Sequence, residues 1–557
     1  MNNRLLIKNG LIYDPINSID GVKKDILIEG GKIVEKFSSN ENIKEINASQ
    51  KTVIPSGIDI HTHISSQQLN WARLLGEDNK QFQQYWKGLH LRKIAKDYIS
   101  NGYTFVLDAN VFPSLARQSV FNLQYLPVLD KAFLLNVSNI WALESQFERK
   151  KPEEIAIFLA DLMEKVKAFG VKLYNPFEAE EWNYNVLRNS LSEEGKLYNF
   201  SALDVYEDIT RAVEHLNLPH SSHAHIEGYE SKQGKENLKT VLTKINNLDL
   251  NPPSSENIKE NRSQIFHIAH SSSYNIDGNN SFLIDFLNQN QKFDTDLGLI
   301  SFDPINPLIT SDRRLINSFV SVEDNKINYQ LIRANLESEG DIFAMLRTFE
   351  KNRKQDCLLW ANALDIAFNV KNKWQLHLST NYPNYGDINK IPEGISWLVS
   401  SEARKEFMKD MNNEFLEENN LAESDGLDFN DIVVLRSAAP ARSMGLANFK
   451  GHLGIGADGD LNILNINIDN IDLEKDYLSL INAFKEVDYV IKSGIIVKKN
   501  DTLNLETNGK LFWSKGRNKV EKDNAVLSKK KQFYQKYYSV FYESFQNDID
   551  TKFLREI

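Results

Sequence analysis

Seven of the 11 histidines in this sequence lie in three short clusters, and each cluster is associated with an apolar run. The first is His61-Thr-His63, which ends the segment Gly57-Ile-Asp-Ile. Because alternate residues of a β-strand share a face, both imidazoles of this His-x-His pair point to one place at the end of the strand. Two imidazoles held in this way can bind one metal ion. The preceding strand favours this interpretation over a pair of structural histidines.

The other two clusters are His220, His223 and His225, and then His267 and His270. His223 and His225 have the same strand parity, so either of them can face the mouth of a barrel. The third cluster begins after Phe266 and ends in a hydroxyl-rich Ser-Ser-Ser loop. Three histidine clusters at strand ends rarely arise by random placement, and together they predict a metal centre.

A lysine also interrupts an apolar run, in the segment Gly170-Val-Lys172-Leu-Tyr-Asn-Pro. Burying a lone ammonium is unfavourable, so such a lysine is paired, deprotonated or chemically modified. If its neutral amine adds carbon dioxide, the lysine becomes a carbamate whose two oxygens can bridge two metal ions. The alternative is a lysine that reaches solvent from the end of its strand.

Composition and charge exclude several other kinds of site. The single cysteine, Cys357, excludes a disulfide framework, a thiolate zinc cluster and an iron–sulfur site within this chain. A formal net charge of -11 gives no global basic field that would attract nucleic acid or an anionic membrane. The first residues lack the apolar segment of a signal peptide, and no stretch has the ~18 apolar residues of a membrane span. The sequence therefore predicts a cytoplasmic protein.

The elements that must position these residues alternate between helix and strand. Residues 155–169 have apolar residues at helical spacing and stop at Gly170, after which an apolar strand follows. The same helix-then-strand unit recurs at 98–108 and at 205–225. Repeated units over roughly 370 residues predict an α/β fold, a TIM-like (β/α)8 barrel of parallel strands with helices outside.

Short strands and turns flank the barrel segment on both sides. Residues 5–37 contain apolar runs separated by Asn9-Gly10 and Gly30-Gly31, and a similar pattern returns at 451–466 and 487–501. We therefore expect a composite β-sandwich built from the N- and C-terminal segments. The predicted domains are residues 1–56 and 431–520 for the sandwich, 57–430 for the barrel, and 521–557 for a C-terminal helical tail.

The tail carries seven aromatic residues at helical spacing: Phe533, Tyr537, Phe541 and Phe545 at steps of four, with Tyr534, Tyr538 and Tyr542 beside them. On a single helix, this spacing gives an aromatic face that must pack on another surface. That surface is either the barrel of the same chain or a partner subunit.

Several motifs together resemble those of metal-dependent amidohydrolases with a carboxylated lysine. They are Ile54-Pro-Ser-Gly-Ile-Asp-Ile-His61-Thr-His63, Val171-Lys172-Leu, the strand ends at His225 and His270, and Lys450-Gly-His-Leu-Gly-Ile-Gly-Ala-Asp-Gly-Asp. Within that superfamily, the chain most resembles the family of the formylmethanofuran dehydrogenase A subunit, including its bacterial branch, the alpha subunit of the formyltransferase/hydrolase complex. The stretches that carry this closer resemblance are Leu6-Ile-Lys-Asn-Gly-Leu-Ile-Tyr-Asp-Pro, Trp71-Ala-Arg73-Leu-Leu, Leu218-Pro-His220-Ser-Ser-His223-Ala-His225, Ser379-Thr-Asn381-Tyr-Pro383-Asn384, Arg436-Ser-Ala-Ala-Pro440-Ala-Arg442-Ser-Met-Gly-Leu446 and Lys536-Tyr-Tyr-Ser-Val.

The resemblance implies a site with two divalent metal ions, for which zinc is the expected metal. His61 and His63 would bind the first ion. The carbamate of Lys172 would bridge the two ions, and His225 and His270 would bind the second. The Ile-Glu-Gly that follows His225 matches the family pattern, which favours this histidine over its neighbour two residues earlier.

One position departs from the family pattern. The aspartate that normally binds a metal and acts as general base corresponds to Asn381, in the segment Thr380-Asn-Tyr-Pro-Asn. A neutral amide cannot accept a proton at neutral pH, and loss of a positioned base typically lowers a rate by ~10²- to 10⁴-fold. A carboxylate elsewhere, Asp296 or Asp387, would then have to replace it. His223 is the second residue expected to act in catalysis, or it is the alternative ligand on its strand.

The function that the resemblance implies is hydrolysis of the N-formyl group of a methanofuran-type carrier to formate and the free amine. The chain would act in a hetero-oligomeric formyltransferase/hydrolase complex of tetrahydromethanopterin-linked one-carbon metabolism. Its partners would be the formylated carrier and the other subunits, with no nucleic acid and no membrane. Three alternatives remain: an archaeal-type A subunit of formylmethanofuran dehydrogenase, a dihydropyrimidinase-like cyclic amidase, and a scaffold subunit that lost catalysis with the aspartate.

Overall fold

Two β-sheets organise the computed structural model of this chain, one of nine strands drawn from both ends of the sequence and one of ten strands drawn mainly from its middle. The structure describes residues 4–66, 90–178, 180–181, 188–252, 261–302, 306–312, 314–315, 343–347, 349–518 and 523–557. The Trp71-Ala-Arg73 stretch of the family resemblance lies outside these residues. No helix within them is both long and apolar enough to cross a membrane.

The nine-stranded sheet starts with β1 (Arg4–Asp14), β2 (Ile19–Glu29), β3 (Lys32–Val34), β4 (Ile43–Asn47) and β5 (Thr52–Pro55). β1 is central, because it pairs antiparallel with β2 and parallel with both β4 and β5. Its alternate residues Leu5 and Ile7 are buried in the core of this sheet. The turn between β2 and β3 needs Gly30 and Gly31, which both have positive φ angles.

The barrel begins with β6 (Gly57–Thr62), β7 (Tyr103–Val111), β8 (Asp130–Asn136), β9 (Gly170–Tyr174), β10 (Ser222–His225), β11 (Phe266–Ile268) and β12 (Phe293–Asp296). A hairpin follows, of β13 (Asn306–Thr310) and β14 (Phe343–Arg347), and then the eighth barrel strand, β15 (Leu376–His377). Successive barrel strands are hydrogen-bonded in parallel. A bridge between Thr62 and Tyr382 joins the first strand to the residues after the last. The predicted TIM-like (β/α)8 barrel is confirmed.

Helices alternate with the barrel strands. They are Leu91–Ser100, Ala116–Gln124, Glu144–Glu148, Pro152–Val166, Ala202–Leu216, Lys232–Asn246, Ser281–Gln289 and Lys354–Asn369. In the fourth of these, a proline occupies the first turn together with Glu153 and Glu154, which suits the positive end of a helix. The helix ends at Lys167, whose φ of 64° is left-handed. The helix predicted at 155–169 therefore exists and lies slightly earlier in the chain.

The later helices are Ile391–Val399, Ser401–Met408, Asn413–Glu418, Phe429–Val433, Ala439–Ser443, Tyr477–Lys485 and Asn524–Phe533. Between them the chain returns to the first sheet as β16 (Leu461–Leu464), β17 (Tyr489–Lys492), β18 (Ile495–Lys499) and β19 (Thr502–Leu503). β16 pairs antiparallel with β5, so both chain ends form one continuous sheet. The predicted composite of N- and C-terminal segments is confirmed, with its strands hydrogen-bonded edge to edge.

Two last strands join the barrel sheet. They are β20 (Leu511–Trp513), which pairs in parallel with β8, and β21 (Leu554–Glu556), which pairs with β20. The predicted boundaries group residues 511–513 with the sandwich, whereas their hydrogen bonds connect them to the barrel. The domain boundaries as a whole stay a prediction.

The tail is not the single helix that its aromatic spacing predicts. The helix Asn524–Phe533 continues as one π-helical turn, Tyr534–Tyr538, and ends before Ser539, whose φ of 54° is left-handed. The aromatic residues therefore separate, and Tyr534 and Tyr542 lie against Phe158 of the barrel. Of the other five, Phe533 and Phe545 pack partly against the core, whereas Tyr537, Tyr538 and Phe541 are 60%, 43% and 64% exposed; we call these three the aromatic patch. The tail thus packs on its own barrel while part of its aromatic surface remains open.

A buried cluster of charges joins the two sheets. The ammonium of Lys450, whose side chain is 2% exposed, lies 2.5 Å from Asp130 on β8 and 2.5 Å from Asp460, just before β16. It also lies 2.8 Å from Asp458. Burial alone would raise the pKa of Asp130, but Lys450 and Lys492 hold it well below its usual value. These side chains therefore remain charged and bind the barrel to the terminal sheet.

We expect Lys450→Met to lower the free energy of unfolding by about 3–5 kcal/mol, because three buried carboxylates lose their shared cation. Lys8→Met is the matched control, since Lys8 pairs with Glu45 at 2.8 Å but both side chains are largely exposed. For that pair we expect a loss of about 1 kcal/mol or less. Denaturant titration of both variants measures the two losses, and equal losses would contradict the structural role of Lys450.

Candidate metal centre

The predicted histidine ligands lie together at the carboxyl ends of the barrel strands. His61 is on β6 and His63 follows it, His225 ends β10, and His270 follows β11. All four are buried, and the ring centroid of His61 lies 5.4 Å from that of His63 and 5.5 Å from that of His270. The rings of His225 and His270 are 4.7 Å apart. The strands therefore bring these four imidazoles to one place.

Lys172 on β9 projects into the same interior space. Its side-chain nitrogen is buried and has no hydrogen-bond partner among the residues described. Burial lowers the pKa of Lys172 to about 7, although the charges of Asp296 and Asp108 act against this shift. Burial, together with the charge of Lys172, also keeps the pKa of the four histidines low. A neutral amine is the form that adds carbon dioxide, so this environment suits a carbamate.

His225 and His270 face each other through unlike nitrogens. His225 Nδ1 lies 2.7 Å from His270 Nε2, and His270 Nδ1 lies 2.8 Å from the hydroxyl of Ser273. That hydroxyl donates its proton to the backbone oxygen of His270, so it accepts a hydrogen bond from Nδ1. The lone pair of His270 Nε2 therefore faces His225. Either a cation or a proton of His225 must lie between the two rings.

Four buried polar atoms around this space have no hydrogen-bond partner in the described part of the chain: Lys172 Nζ, His63 Nδ1, His225 Nε2 and Asp296 Oδ1. Buried polar groups nearly always have a partner, because an unsatisfied one costs ~1–3 kcal/mol. Imidazole nitrogens and carboxylate or carbamate oxygens are also ligands that zinc prefers. The residues present therefore fit a metal centre.

Asn381 lies beside His63, to which its side chain is hydrogen-bonded, and it has a left-handed φ of 48°. The backbone oxygen of the next residue, Tyr382, accepts a hydrogen bond of 2.8 Å from the backbone N–H of His63. The place where the family pattern has an aspartate thus holds a neutral amide. Of the two carboxylates considered as its replacement, Asp387 caps a short helix, and only Asp296 contacts the histidines.

Asp296, at the end of β12, is the centre of a hydrogen-bond network beneath the ligands. Its Oδ2 atom accepts from His61 Nδ1 at 2.9 Å and from His267 Nε2 at 3.2 Å. His267 Nδ1 also donates to Asp294 at 2.9 Å, and Asp294 accepts from His377 Nε2 at 2.7 Å. Burial alone would lower the pKa of His267, but Asp294 and Asp296 raise it overall.

Sequence analysis did not predict most of this network. No role was predicted for Asp294 or His377, and Asp296 was named only as one of two carboxylates that could replace the missing base. The signal that could have found them is the Asp-x-Asp pattern of Phe293-Asp-Thr-Asp296, whose two carboxylates have the same i, i+2 spacing as the His-x-His pair.

His223 lies deeper in the barrel than the predicted ligands. Its Nε2 atom is 3.2 Å from His61 Nδ1, and its Nδ1 atom is 3.1 Å from His220 Nε2. Both nitrogens of its ring thus contact other histidines. Of the two histidines with equal parity on β10, the structure places His225 against His270.

The loop after His63 is held by the buried Asp108 on β7. One oxygen of this carboxylate accepts hydrogen bonds from the backbone N–H groups of Ile64, Ser65 and Ser66 at 3.0, 2.7 and 3.1 Å. Three bonds to successive residues fix the direction in which the chain leaves β6. The neighbouring strand β7 therefore fixes the backbone directly after His63, the second histidine of the His-x-His pair.

Comparison with known proteins agrees with this fold. Residues 368–498 match the model of the Amidohydrolase family. The chain is 26% identical over 555 residues to protein FwdA of Methanocaldococcus jannaschii, and the match covers 97% of this chain and 96% of FwdA. It is 23% identical over 481 residues to the A subunit of the formyltransferase/hydrolase complex Fhc of Methylorubrum extorquens, with 82% of this chain and 83% of that protein covered.

A solved structure has the same architecture. The crystal structure of the formyltransferase/hydrolase complex FhcABCD from Methylorubrum extorquens, in complex with methylofuran, contains a chain that superimposes with a TM-score of 0.83 at 20% identity. The match covers 100% of this chain and 99% of that one. The resemblance inferred from the motifs is thereby confirmed: the chain is similar to FwdA over nearly its whole length and to the Fhc A subunit over most of it, and part of it matches the Amidohydrolase family model.

Proposed function

We propose that this chain is the hydrolytic subunit of a formyltransferase/hydrolase complex. There it cleaves the formamide of an N-formylated, methanofuran-type carrier to formate and the free amine. The observation that carries this proposal is the buried amine of Lys172, which lies among four histidines and has no hydrogen-bond partner in the described part of the chain. Its relatives support the assignment, because the Fhc A subunit is named for such a complex and the similar FhcABCD structure contains methylofuran.

We assign two divalent metal ions, with zinc as the expected metal, to the five predicted ligands. His61 and His63 would hold the first ion, His225 and His270 would hold the second, and Lys172 as a carbamate would be a ligand of both. When bound, such ions lower the pKa of a water molecule and polarise the formamide carbonyl.

The role of the surrounding residues is to orient the ligands and the substrate. Asp296 accepts the Nδ1 proton of His61, which leaves Nε2 free, and Ser273 does the same for His270. In hydrolysis, the water oxygen bonds to the formyl carbon, the C–N bond breaks, and a proton of the water must reach the departing nitrogen. That proton transfer is the step for which Asn381 offers no base.

Asn381 is also the observation that favours a second candidate, a scaffold subunit without catalysis. A third candidate, an archaeal-type A subunit of formylmethanofuran dehydrogenase, has its support in the similarity to FwdA over nearly the whole chain. The metal content of the protein and the effect of a restored aspartate separate the scaffold from the two catalytic candidates.

The first test concerns the bridging ligand. We expect the wild-type protein, purified with its partners, to hold two divalent ions and Lys172→Ala to lose at least one of them, because the carbamate is a ligand of both. Elemental analysis of the two proteins measures this difference. Full metal occupancy in Lys172→Ala would refute the bridging assignment.

A matched control is Lys131→Met on the neighbouring strand. Lys131 is also buried, and burial lowers its pKa to about 7. Its ammonium, however, donates to the backbone oxygens of Leu126 and Gly509 and does not face the centre. We expect this variant to retain both ions. A similar loss of metal in both variants would indicate general unfolding of the barrel.

The second test concerns the missing base. We expect Asn381→Asp to raise the turnover of the formylated carrier by ~10²-fold or more, because a carboxylate beside His63 can take a proton from water and deliver it to nitrogen. Steady-state rates at matched metal content measure the effect. A fall or no change would show that another carboxylate already supplies the base, or that catalysis is not the task of this chain.

The third test concerns assembly. We expect the double variant Tyr537→Ser/Phe541→Ser to weaken association with the partner subunits while the barrel keeps its stability, because this patch is exposed in the isolated chain. Tyr534→Ser should instead destabilise the chain by roughly 2 kcal/mol or more, since that ring is buried against Phe158. Co-purification and thermal unfolding distinguish the two effects. Unchanged co-purification of the double variant would exclude the patch as a docking surface.

A further inference from the structure

Three histidines form a hydrogen-bonded chain that runs from the floor of the barrel to the metal centre. His220 Nδ1 lies 3.0 Å from the backbone oxygen of Ser443, and His220 Nε2 lies 3.1 Å from His223 Nδ1. His223 Nε2 then lies 3.2 Å from His61 Nδ1. All three side chains are at most 1% exposed. We call His220, His223 and His61 the histidine ladder.

The protons of this ladder have only one consistent arrangement. A carbonyl oxygen can only accept, so His220 carries its proton on Nδ1 and, when neutral, accepts at Nε2. His223 must therefore donate from Nδ1 and accept at Nε2. His61 in turn must donate from Nδ1. Its remaining nitrogen, Nε2, is left with a lone pair, as a metal ligand requires.

The neutral state of the two lower rings follows from their surroundings. Neither His220 nor His223 donates a hydrogen bond to a carboxylate among the residues described, and both are withdrawn from solvent. An unpaired imidazolium would be costly in such a place.

Asp296 is a second acceptor for His61 and supports the same position of its proton. His61 Nδ1 is also 2.9 Å from Asp296 Oδ2, so its proton is shared between a carboxylate and His223. If His61 carried its proton on Nε2 instead, its Nδ1 lone pair would face both the carboxylate and the lone pair of His223. The two acceptors together therefore exclude that tautomer.

We propose that His220 and His223 are positioning residues. Their hydrogen bonds, which start at the Ser443 carbonyl, fix the proton of His61 on Nδ1 and leave the lone pair of its Nε2 atom available to the first metal ion. This inference rests on the metal centre of the proposed function but not on the identity of the substrate. Side chains behind a metal ligand typically change metal affinity by ~10- to 100-fold when they are removed.

A third metal ion is the rival explanation for the same residues. One nitrogen each of His220, His223 and His267 lie within 4.8 Å of one another, and so do one ligand atom each of His61, His223 and Asp296, so either set is close enough to share an ion. In the ladder, however, the lone pair of His220 Nε2 is already used by His223, and the Nδ1 proton of His61 occupies the space between the three atoms of the second set. The ladder therefore predicts two ions per chain, and the rival predicts three.

The test compares two substitutions of His220 in the full-length chain with its partners. His220→Phe keeps a ring but removes the acceptor, whereas His220→Gln places an amide oxygen near the former Nε2 position and can still accept from His223. We expect His220→Phe to weaken zinc binding by ~10- to 100-fold and His220→Gln to stay within a few-fold of wild type. Competition with a chelator measures the affinity. The ligand-field absorption of the cobalt-substituted protein should change in the phenylalanine variant alone.

His215→Phe is the matched control, because it alters an exposed histidine at the end of the helix that precedes β10. It should leave both the zinc affinity and the cobalt spectrum unchanged. Thermal unfolding of all three variants separates loss of metal affinity from loss of structure.

If the phenylalanine variant does not fold, the wild-type protein still decides the matter. Nitrogen-15 NMR of histidine-labelled protein should then report His61, His220 and His223 as neutral rings with the proton on Nδ1. A proton on Nε2 of either lower ring would refute the ladder.

Three further results would overturn the proposal: equal zinc affinities for the two His220 variants, a wild-type protein with three ions of which one is lost in His220→Phe, and a wild-type protein that binds no divalent ion. A protein that follows the expected metal pattern but hydrolyses no formamide would leave the ladder intact and refute only the proposed function.

Discussion

A buried primary amine, without a hydrogen-bond partner among the residues that the structure describes, is the constraint around which the interior of this barrel is arranged. Burial removes much of the tendency of Lys172 to hold a proton. The two carboxylates that act on it, Asp296 and Asp108, are engaged by histidines and backbone N–H groups and give it no hydrogen bond. The amine therefore remains available for modification, and four imidazoles converge on the same space.

Much of this arrangement could be predicted from the sequence, because it depends on the period of two along a strand. His61 and His63 share a face whatever lies opposite them, and an apolar run before them places that face in a core. The alternation of helices and strands predicts the barrel for the same local reason. The pairing of the chain ends was predictable too, since unpaired short strands at either end need each other to form a sheet.

The rest depends on contacts between segments that no local pattern encodes. Parity alone leaves His223 and His225 equivalent, and in the structure they are distinguished by His270, which follows the neighbouring strand and lies against His225. The tail shows the same limit, because its aromatic spacing is helical although the backbone turns left-handed at Ser539. Residues 511–513 were grouped with the sandwich strands, yet they form a strand that pairs with β8 of the barrel.

Because His61 and Ser443 are far apart in the sequence, the parts of the centre are synthesised at different times. A growing chain that has emerged as far as His270 already possesses every histidine of the centre and Lys172, but it lacks the carbonyl at the foot of the ladder and the residues after β15 that meet the first strand. An ion captured at that stage would meet an imidazole free to present either nitrogen. If the proposed ladder holds, we expect the centre to be completed late, with metal binding to a folded barrel rather than to a chain still leaving the ribosome.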